Sequence, residues 1–359
     1  MPMFKKKKKM GSSTSKLKYP HLVASKFPIN DDGETITLSD GRLLGYKEYK
    51  FSHTLTDNTI SLRNQEFVIL LIPGLPGSRF FTHPSILTNT DDENIIINEN
   101  ENKVLIRLFV LERPGIGLST FAKRNFIDFA NDIKEFCQQK NVKKFSLMAY
   151  SAGGPYGLAT AYVLGKPDDN EDCPTLSKAA IISSVAPYHA TNATNSMDWR
   201  LKFAWWLTKK SPSILSIIVR LEAKAALSNP IKASSEIQIL GPPADKEVYN
   251  KYPEIEELFV KSILELYSRG QEETECWEYS LWGKDWGFNL SDIGKGKDGK
   301  RGVKCKVWHG EEDYGSTAAM GKYIADQIEG CESCFVEKLG HMVYFTAWDE
   351  IIDWCIADQ

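Results

Sequence analysis

Residues 144–162, which read KFSLMAYSAGGPYGLATAY, are the stretch that decides the fold. Residues 145–150 form a short apolar run typical of a buried strand, and residues 155–164 have the composition of a buried helix. Ser151 stands between the two, with a small residue two positions before it and another two positions after it. This is the Gly-x-Ser-x-Gly pattern of a nucleophile elbow, with alanine at the first glycine position.

A nucleophile elbow places its serine at the tip of a tight strand-turn-helix, above the end of a sheet. The strand and the helix nearly touch at the turn, and the small residues Ala149 and Gly153 suit that close approach. The N-terminus of the following helix and the amide of Ala152 favour negative charge beside the serine hydroxyl. The stretch therefore predicts Ser151 as a nucleophile, although a serine with small neighbours also occurs by chance.

Other motifs stand in the order and at the spacing seen in the α/β-hydrolase superfamily. They are LIPGLPGSR at 71–79, ERPGIGLS at 112–119, AYSAGGPYGLA at 149–159, SSVAP at 183–187 and VWHGEEDYGSTAAMGKYIAD at 307–326. More narrowly, the chain resembles a group of hydrolases with HGxPGSR, DRPGxGxS and SGGGPYALA motifs. The resemblance runs from about residue 34 to the C-terminus. It implies an α/β-hydrolase fold, which is a mostly parallel, doubly wound sheet with a helical cap inserted before the last strands.

The strand and helix patterns predict the same architecture. A hairpin is expected around Asp40 and Gly41, and apolar residues at helical spacing occupy 126–137. Apolar runs predict further strands at 67–72, 104–111, 179–185, 303–308 and 334–339. Alternating strands and helices form a doubly wound parallel sheet.

Between residues 188 and 285 the strand patterns stop and helical patterns rich in aromatic residues replace them. Helices are predicted at 197–208, 214–227 and 253–269, the second with Ser211 as N-cap and Pro212 at its first position. We therefore divide the chain into four parts. They are a disordered basic tail (1–30), the first part of the core (31–187), a helical cap (188–285) and the second part of the core (286–359).

Two residues near the C-terminus complete a triad in the Ser, Asp, His chain order of α/β-hydrolases. Asp313 lies just past the predicted strand at 303–308 and corresponds to the acid of the family's HGxxD motif; Glu311 and Glu312 are the alternatives. His341 lies on a loop before the predicted last helix at 348–356. An imidazole can take the serine proton at neutral pH and return it, and a carboxylate fixes its tautomer.

The remaining histidines fit the role of base less well. His21 lies in the tail, His53 is expected in a surface turn, and His309 is expected to pack under the acid loop. His83 and His189 are candidates for the mouth of a pocket.

The resemblance also implies an oxyanion hole, formed by the amides of Leu75 and Ala152. Leu75 belongs to a loop at 73–79 that follows a buried strand. Pro73 stands where the family has histidine, which leaves the geometry of this loop open. The prolines and glycines of the loop also fit an ordinary turn.

The first cap helix carries four aromatic residues that are candidates for a substrate pocket. They are Trp199, Phe203, Trp205 and Trp206. Such residues could line an apolar acyl or aromatic site, but aromatic residues at helical spacing also serve core packing. The cap position implies that these residues affect specificity more than reactivity.

Composition argues against several function classes. The net charge of −3 gives no sign of nucleic-acid binding, and seven scattered cysteines indicate a reducing compartment. Cys331 and Cys334 form a single CxxC pair with no ligand-spaced histidine, so we predict surface thiols and no metal.

The Gly115-x-Gly117 pattern lacks the third glycine of a dinucleotide fingerprint, because Thr120 stands there. We predict no cofactor.

The apolar runs of the chain and its N-terminal segment together predict where in the cell the protein is found. No run approaches the roughly 18 apolar residues of a transmembrane segment, and the basic start MPMFKKKKKM leads into polar residues instead of a signal peptide. We therefore predict a soluble, cytoplasmic protein. The lysines at 5–9 allow weak contact with an anionic membrane surface, although a solvated charge run is the simpler interpretation. Translation starting at Met10 would place Gly11 in the N-myristoylation pattern.

The predicted function is a serine hydrolase that cleaves a carboxylic ester or a related acyl small molecule through Ser151, His341 and Asp313. Two alternatives stay open. The same triad chemistry cleaves amides, thioesters or carbon–carbon bonds, and the cap would decide among them. A protein of this fold can also use its pocket for binding alone, as a ligand receptor or scaffold, but such proteins often lack a member of the triad.

Overall fold

The computed structural model describes residues 32–55, 65–87, 103–166, 173–239, 241–269, 273–295 and 302–357. Three predicted segments lie outside these residues. They are the basic tail with the alternative start at Met10, a polar segment at 89–102 that the sequence predicts as a surface insertion, and most of the basic loop at 294–302.

The strands of the described residues form one sheet of eight. They are β1 (Glu34–Thr37), β2 (Leu43–Thr54), β3 (Glu66–Ile72), β4 (Lys103–Leu111), β5 (Lys144–Tyr150), β6 (Thr175–Ile182), β7 (Lys304–Gly310) and β8 (Glu332–Val336). Their order in the sheet is β1-β2-β4-β3-β5-β6-β7-β8. β1 and β2 form the predicted hairpin and β2 pairs antiparallel with β4, whereas every later pair is parallel.

The described residues also contain twelve α-helices. They are α1 (Pro84–Leu87), α2 (Phe126–Gln139), α3 (Gly154–Leu164), α4 (Trp199–Lys210), α5 (Pro212–Ser228), α6 (Pro230–Ile239), α7 (Pro243–Lys251), α8 (Glu254–Tyr267), α9 (Glu273–Trp282), α10 (Ala318–Gln327), α11 (Val343–Thr346) and α12 (Trp348–Ile356). None of these helices has the length and the apolar composition that crossing a bilayer requires.

Helices cover both faces of the sheet, as a parallel sheet needs. Along β3, Leu70 and Ile72 point into a core with α2, α3 and α10, while Ile69 and Leu71 point into a second core with α11 and α12. All four side chains are fully buried. Each burial of this kind stabilises the fold by roughly 1.5–3 kcal/mol, which explains why β3 is apolar throughout. The fold class predicted from the sequence is confirmed.

Helices α4 to α9 lie between β6 and β7, within the range predicted as the cap. The predicted helices at 197–208, 214–227 and 253–269 correspond to α4, α5 and α8, whereas α6, α7 and α9 were not predicted. Pro212 lies in the first turn of α5 as expected, and Ser211 is its N-cap. The side chain of Ser211 makes no capping hydrogen bond.

Three further expectations need correction. β6 ends at Ile182 instead of 185, because Ser183 has a φ of +45° and leaves the extended conformation. β8 ends at Val336 instead of 339, and Lys338 has a φ of +61°. His53 lies buried within β2 instead of in a surface turn, with its Nε2 2.7 Å from a carboxylate oxygen of Asp353.

Candidate active site

The elbow lies where β5 ends and α3 begins. Ser151 has a φ of +56°, in the left-handed region that non-glycine residues rarely adopt, and it opens a 3-10 turn that leads into α3. A Cβ on Gly153 would lie 2.3 Å from the carbonyl oxygen of Ile72, and a Cβ on Gly157 would lie 2.3 Å from the Cβ of Ala149. The close approach of strand and helix therefore requires these small residues.

The structure brings together the three side chains that the sequence predicts as a triad. The Nε2 of His341 lies 2.9 Å from the Oγ of Ser151, and its Nδ1 lies 2.6 Å from the Oδ2 of Asp313. Because the carboxylate can only accept, Nδ1 carries the proton and Nε2 is left to accept from the serine hydroxyl. The three residues come from three separate loops at the carboxyl edge of the sheet.

Asp313 is buried and held in one orientation. Its Oδ1 accepts a hydrogen bond from the amide of Gly315 at 2.8 Å, which leaves Oδ2 for the histidine. His309 lies beneath it, fully buried, and donates from Nε2 to the carbonyl oxygen of Ser316 at 2.5 Å. Burial lowers the pKa of His309, so this ring stays neutral.

His341 is the titratable group of the site, and its side chain is 32% exposed. Desolvation by the surrounding protein lowers the pKa of His341, but the charge and the hydrogen bond of Asp313 outweigh it, so the net pKa is raised above the usual 6.5. A raised pKa means a stronger base. The ring can therefore take a proton from a hydroxyl more readily than a free imidazole can.

A residue of the cap, which sequence reasoning missed, holds the backbone of the histidine loop. The carboxylate of Asp245 on α7 accepts from the amides of Gly340 and His341, each at 2.8 Å. Asp245 is buried, and burial raises the pKa of its carboxyl. Only glycine fits at 340, because a Cβ there would lie 2.4 Å from Pro242. No pattern in the sequence links α7 to a loop almost one hundred residues later.

The loop after β3 reaches Ser151. A Cβ on Gly74 would lie 2.5 Å from the Cβ of Ser151, so the loop approaches closely only because this residue is glycine. The guanidinium of Arg113 donates to the carbonyl oxygens of Pro73 and Gly74, and its Nε lies 2.6 Å from Glu278 on α9. The buried Arg113–Glu278 ion pair thus supports the backbone of this loop.

A second buried ion network joins the same loop to the cap. Arg79 donates to Glu112 at 2.9 Å and to Glu265 on α8 at 2.7 Å, and Arg269 donates to Glu265 at 2.7 Å. All four side chains are almost completely buried. Glu112 also accepts from the amide of Leu118, so it fixes the loop after β4 as well.

The four aromatic candidates of α4 lie in two environments. Trp205 is buried and stacks on Tyr188, with ring centroids 5.7 Å apart. Trp199, Phe203 and Trp206 are 74%, 51% and 47% exposed, values typical of an outer surface and not of an enclosed pocket. Of the two histidines considered for a pocket mouth, His83 is buried against Trp348 and His189 is exposed.

Comparisons with known proteins agree with this architecture. A family model described as the alpha/beta hydrolase fold matches residues 68–210. Similar solved structures include an esterase from Rhodococcus sp. ECU1013 (TM-score 0.57, 13% identity, 91% of this chain and 98% of that chain covered). Others are the enol-lactonase from Burkholderia xenovorans LB400 (0.55, 14%, 90% and 100%) and a meta-cleavage product hydrolase (0.55, 12%, 92% and 99%). A search of curated proteins finds no match. The chain therefore has the α/β-hydrolase fold.

Proposed function

We propose that the protein is a serine hydrolase that cleaves a carboxylic ester or a related acyl small molecule, with Ser151 as nucleophile, His341 as base and Asp313 as the acid. The observation that carries the proposal is the unbroken series of contacts from hydroxyl to imidazole to carboxylate, at 2.9 and 2.6 Å. The left-handed backbone at Ser151 supports it, because such strain is characteristic of a nucleophile held at an elbow.

The mechanism follows from these contacts. Ser151 attacks the substrate carbonyl while His341 takes the hydroxyl proton, and Asp313 stabilises the imidazolium that forms. His341 then gives the proton to the leaving group, which departs and leaves an acyl group on Ser151. A water molecule then gives a proton to His341 and attacks the acyl carbon. The bond between the acyl carbon and the Ser151 oxygen breaks, His341 returns the proton to that oxygen, and the acid product leaves.

We assign the oxyanion hole to the amides of Leu75 and Ala152. Ala152 follows the nucleophile directly, and Leu75 follows Gly74, whose backbone packs on Ser151. Removing one donor of an oxyanion hole typically slows the reaction about 10²- to 10³-fold. The carbonyl contacts of Arg113 would keep the Leu75 amide in place without the histidine usual in the family.

Esters are our first choice of substrate because several similar structures are named as esterases. Those proteins share the fold at low identity, so amide, thioester and carbon–carbon cleavage stay as alternatives on the same triad. A binding-only receptor or scaffold is less favoured, since all three triad side chains are present and in contact.

A panel of p-nitrophenyl esters of increasing acyl length, with matched anilides and thioesters, tests the reaction type. We expect ester hydrolysis by the wild type and loss of at least about 10³-fold in Ser151→Ala. Hydrolysis that survives in Ser151→Ala would contradict the assignment of the nucleophile. A wild type inactive on every compound, and unreactive toward a fluorophosphonate, would favour the binding-only alternative.

We also propose a cytoplasmic location. The support is that all seven cysteines are free, which suits a reducing compartment. Cell fractionation, with thiol labelling of the native protein before reduction, checks it. Recovery of the protein in a secreted fraction, or with cysteines blocked by disulfides, would contradict it.

A further inference from the structure

Two neighbouring cap helices expose a row of large apolar side chains, spaced at i, i+4, i+7 on α4 and at i, i+3, i+7 on α5. They are Trp199, Phe203, Trp206, Ile214, Ile217 and Leu221, which we call the hairpin patch. These spacings put each set on one face of its helix. Their side chains are 47% to 74% exposed. Among the described residues, the one other exposed large apolar side chain is Tyr314.

Other side chains of the two helices already pack against each other inside the protein. Leu207 of α4 packs with Leu215 and Val219 of α5 in a small buried cluster. The hairpin patch is therefore not needed to hold α4 and α5 together. Six large apolar side chains exposed on two adjoining helices, with no role in packing them together, are characteristic of an interaction site.

The charge around the hairpin patch indicates the kind of partner. Residues 199–228 contain six cationic residues and one acidic residue, a net charge of +5, whereas the whole chain has a net charge of −3. Arg200 and Arg220 lie close to Asp198 and Glu273. The excess positive charge therefore comes mainly from the lysines of the two helices, which are Lys202, Lys209, Lys210 and Lys224.

The hairpin patch begins beside the candidate active site. The amide of Asp198 donates to the carbonyl oxygen of Tyr314 at 3.1 Å, one residue after Asp313. Leu201 lies next to the same loop, 3.9 Å from where a Cβ on Gly315 would stand. A partner surface bound to the hairpin patch would therefore lie near the loop that carries Asp313.

We propose that the hairpin patch docks on the surface of a lipid bilayer that contains anionic lipids. The aromatic rings and aliphatic chains would lie among the head groups, where tryptophan is enriched, and the lysines would lie against lipid phosphates. A second copy of the chain is a poorer partner. A two-fold contact would bring two patches of the same strong positive charge together. The docking is peripheral and does not depend on the proposed hydrolase reaction.

Sedimentation of the full chain with sucrose-loaded vesicles tests the proposal, using phosphatidylcholine alone and phosphatidylcholine mixed with phosphatidylserine. We expect binding to the mixed vesicles that weakens at high salt, because screening shortens the reach of the lysines. Combining Trp199→Ser, Phe203→Ser and Trp206→Ser should lower the partition coefficient at least about tenfold. Combining Lys202→Gln, Lys210→Gln and Lys224→Gln should lower binding to mixed vesicles by several-fold.

Lys144→Gln is the matched control, because Lys144 is exposed at the opposite end of β5 from the elbow and should leave binding unchanged. Ser151→Ala should also bind like the wild type, which separates docking from catalysis. Circular dichroism should show that the variants fold, since the substituted side chains are exposed.

Two results would overturn the proposal. One is that the triple serine variant binds vesicles as strongly as the wild type does. If deleting residues 1–30 then abolishes binding, the tail is the contact with the membrane. The other is a wild-type dimer in sedimentation velocity that becomes monomeric in the triple variant, with no vesicle binding by either protein. That outcome would assign the hairpin patch to a second copy of the chain.

Discussion

His341 is held at both its ring and its backbone. Its two ring nitrogens contact Asp313 and Ser151, its amide donates to Asp245, and its carbonyl oxygen accepts from the hydroxyl of Tyr150 at 3.0 Å. These contacts keep Nε2 aimed at the serine hydroxyl without further ordering when substrate arrives. In the proposed mechanism, this pre-organisation would lower the barrier, because its entropic cost is met during folding.

Asp245→Asn tests the cap's role in placing the histidine. The asparagine amide can accept from only one of the two backbone N–H groups and points an NH₂ donor at the other. We expect kcat to fall about 10- to 100-fold with KM little changed, since the histidine moves and the substrate contacts do not. Steady-state kinetics measure this split. Asp326→Asn, at an exposed position on α10, is the control. A larger change in KM than in kcat would contradict a positioning role.

Asp313→Asn tests the pH dependence of the site. His341 must be neutral to accept the serine proton, so activity should fall as pH drops through its pKa. Asp313 raises that pKa above 6.5, and the acidic limb of kcat/KM should therefore lie above pH 6.5 in the wild type. In Asp313→Asn we expect the limb to move to lower pH and kcat to fall about 10³- to 10⁴-fold. An unchanged limb would show that another group controls it.

The contact among Ser151, Asp313 and His341 could be predicted from the sequence, because each residue follows a strand that the apolar pattern reveals and parallel strands bring their carboxyl ends to one edge. The contacts of Asp245 and Arg113 could not be predicted in this way. Asp245 accepts from backbone amides about one hundred residues away, and Arg113 pairs with Glu278, 165 residues away, as well as with two backbone carbonyls. No sequence pattern reveals contacts over such separations. The burial of His53 was missed for a similar reason, since its partner Asp353 lies 300 residues away.

At the scale of elements, the loop after β3 depends on α9. Glu278→Gln would leave the buried guanidinium of Arg113 without its counter-charge. We expect the free energy of unfolding to fall by about 3–5 kcal/mol, measured by urea denaturation, and ester hydrolysis to fall because the Leu75 amide loses support. Glu273→Gln on the same helix is the control, as its carboxylate is mostly exposed and 3.7 Å from Arg220. Equal stability of the two variants would contradict this account.

The existence of most elements was predictable, whereas the shorter cap helices were not. α2, α8 and α12 carry apolar residues at helical spacing over about three turns, and two of the three also have clear acidic first turns. α7 has the sequence PADKEVYNK, in which only Asp245 and Val248 are buried, so it offers too little apolar periodicity to be recognised.

At the scale of the whole molecule, the network of Arg79, Glu112, Glu265 and Arg269 joins cap and core. We therefore expect a single cooperative unfolding transition. Glu265→Gln should lower the free energy of unfolding by about 3–5 kcal/mol, because two buried guanidinium groups lose a charge partner. Lys261→Gln on the same helix removes only an exposed pair with Glu257 and should cost less than about 1 kcal/mol. Thermal unfolding followed by both fluorescence and circular dichroism makes the comparison. Two separate wild-type transitions would contradict coupling through this network.

The most direct test of the central claim is to locate the residue that reacts with a fluorophosphonate. The Ser151 oxygen should attack phosphorus, fluoride should leave, and the hydroxyl proton should pass to His341. Peptide mass spectrometry should then find the phosphonate on Ser151, with no adduct in Ser151→Ala and much slower labelling in His341→Ala. An adduct on another residue, or labelling of the wild type that does not depend on His341, would contradict the account.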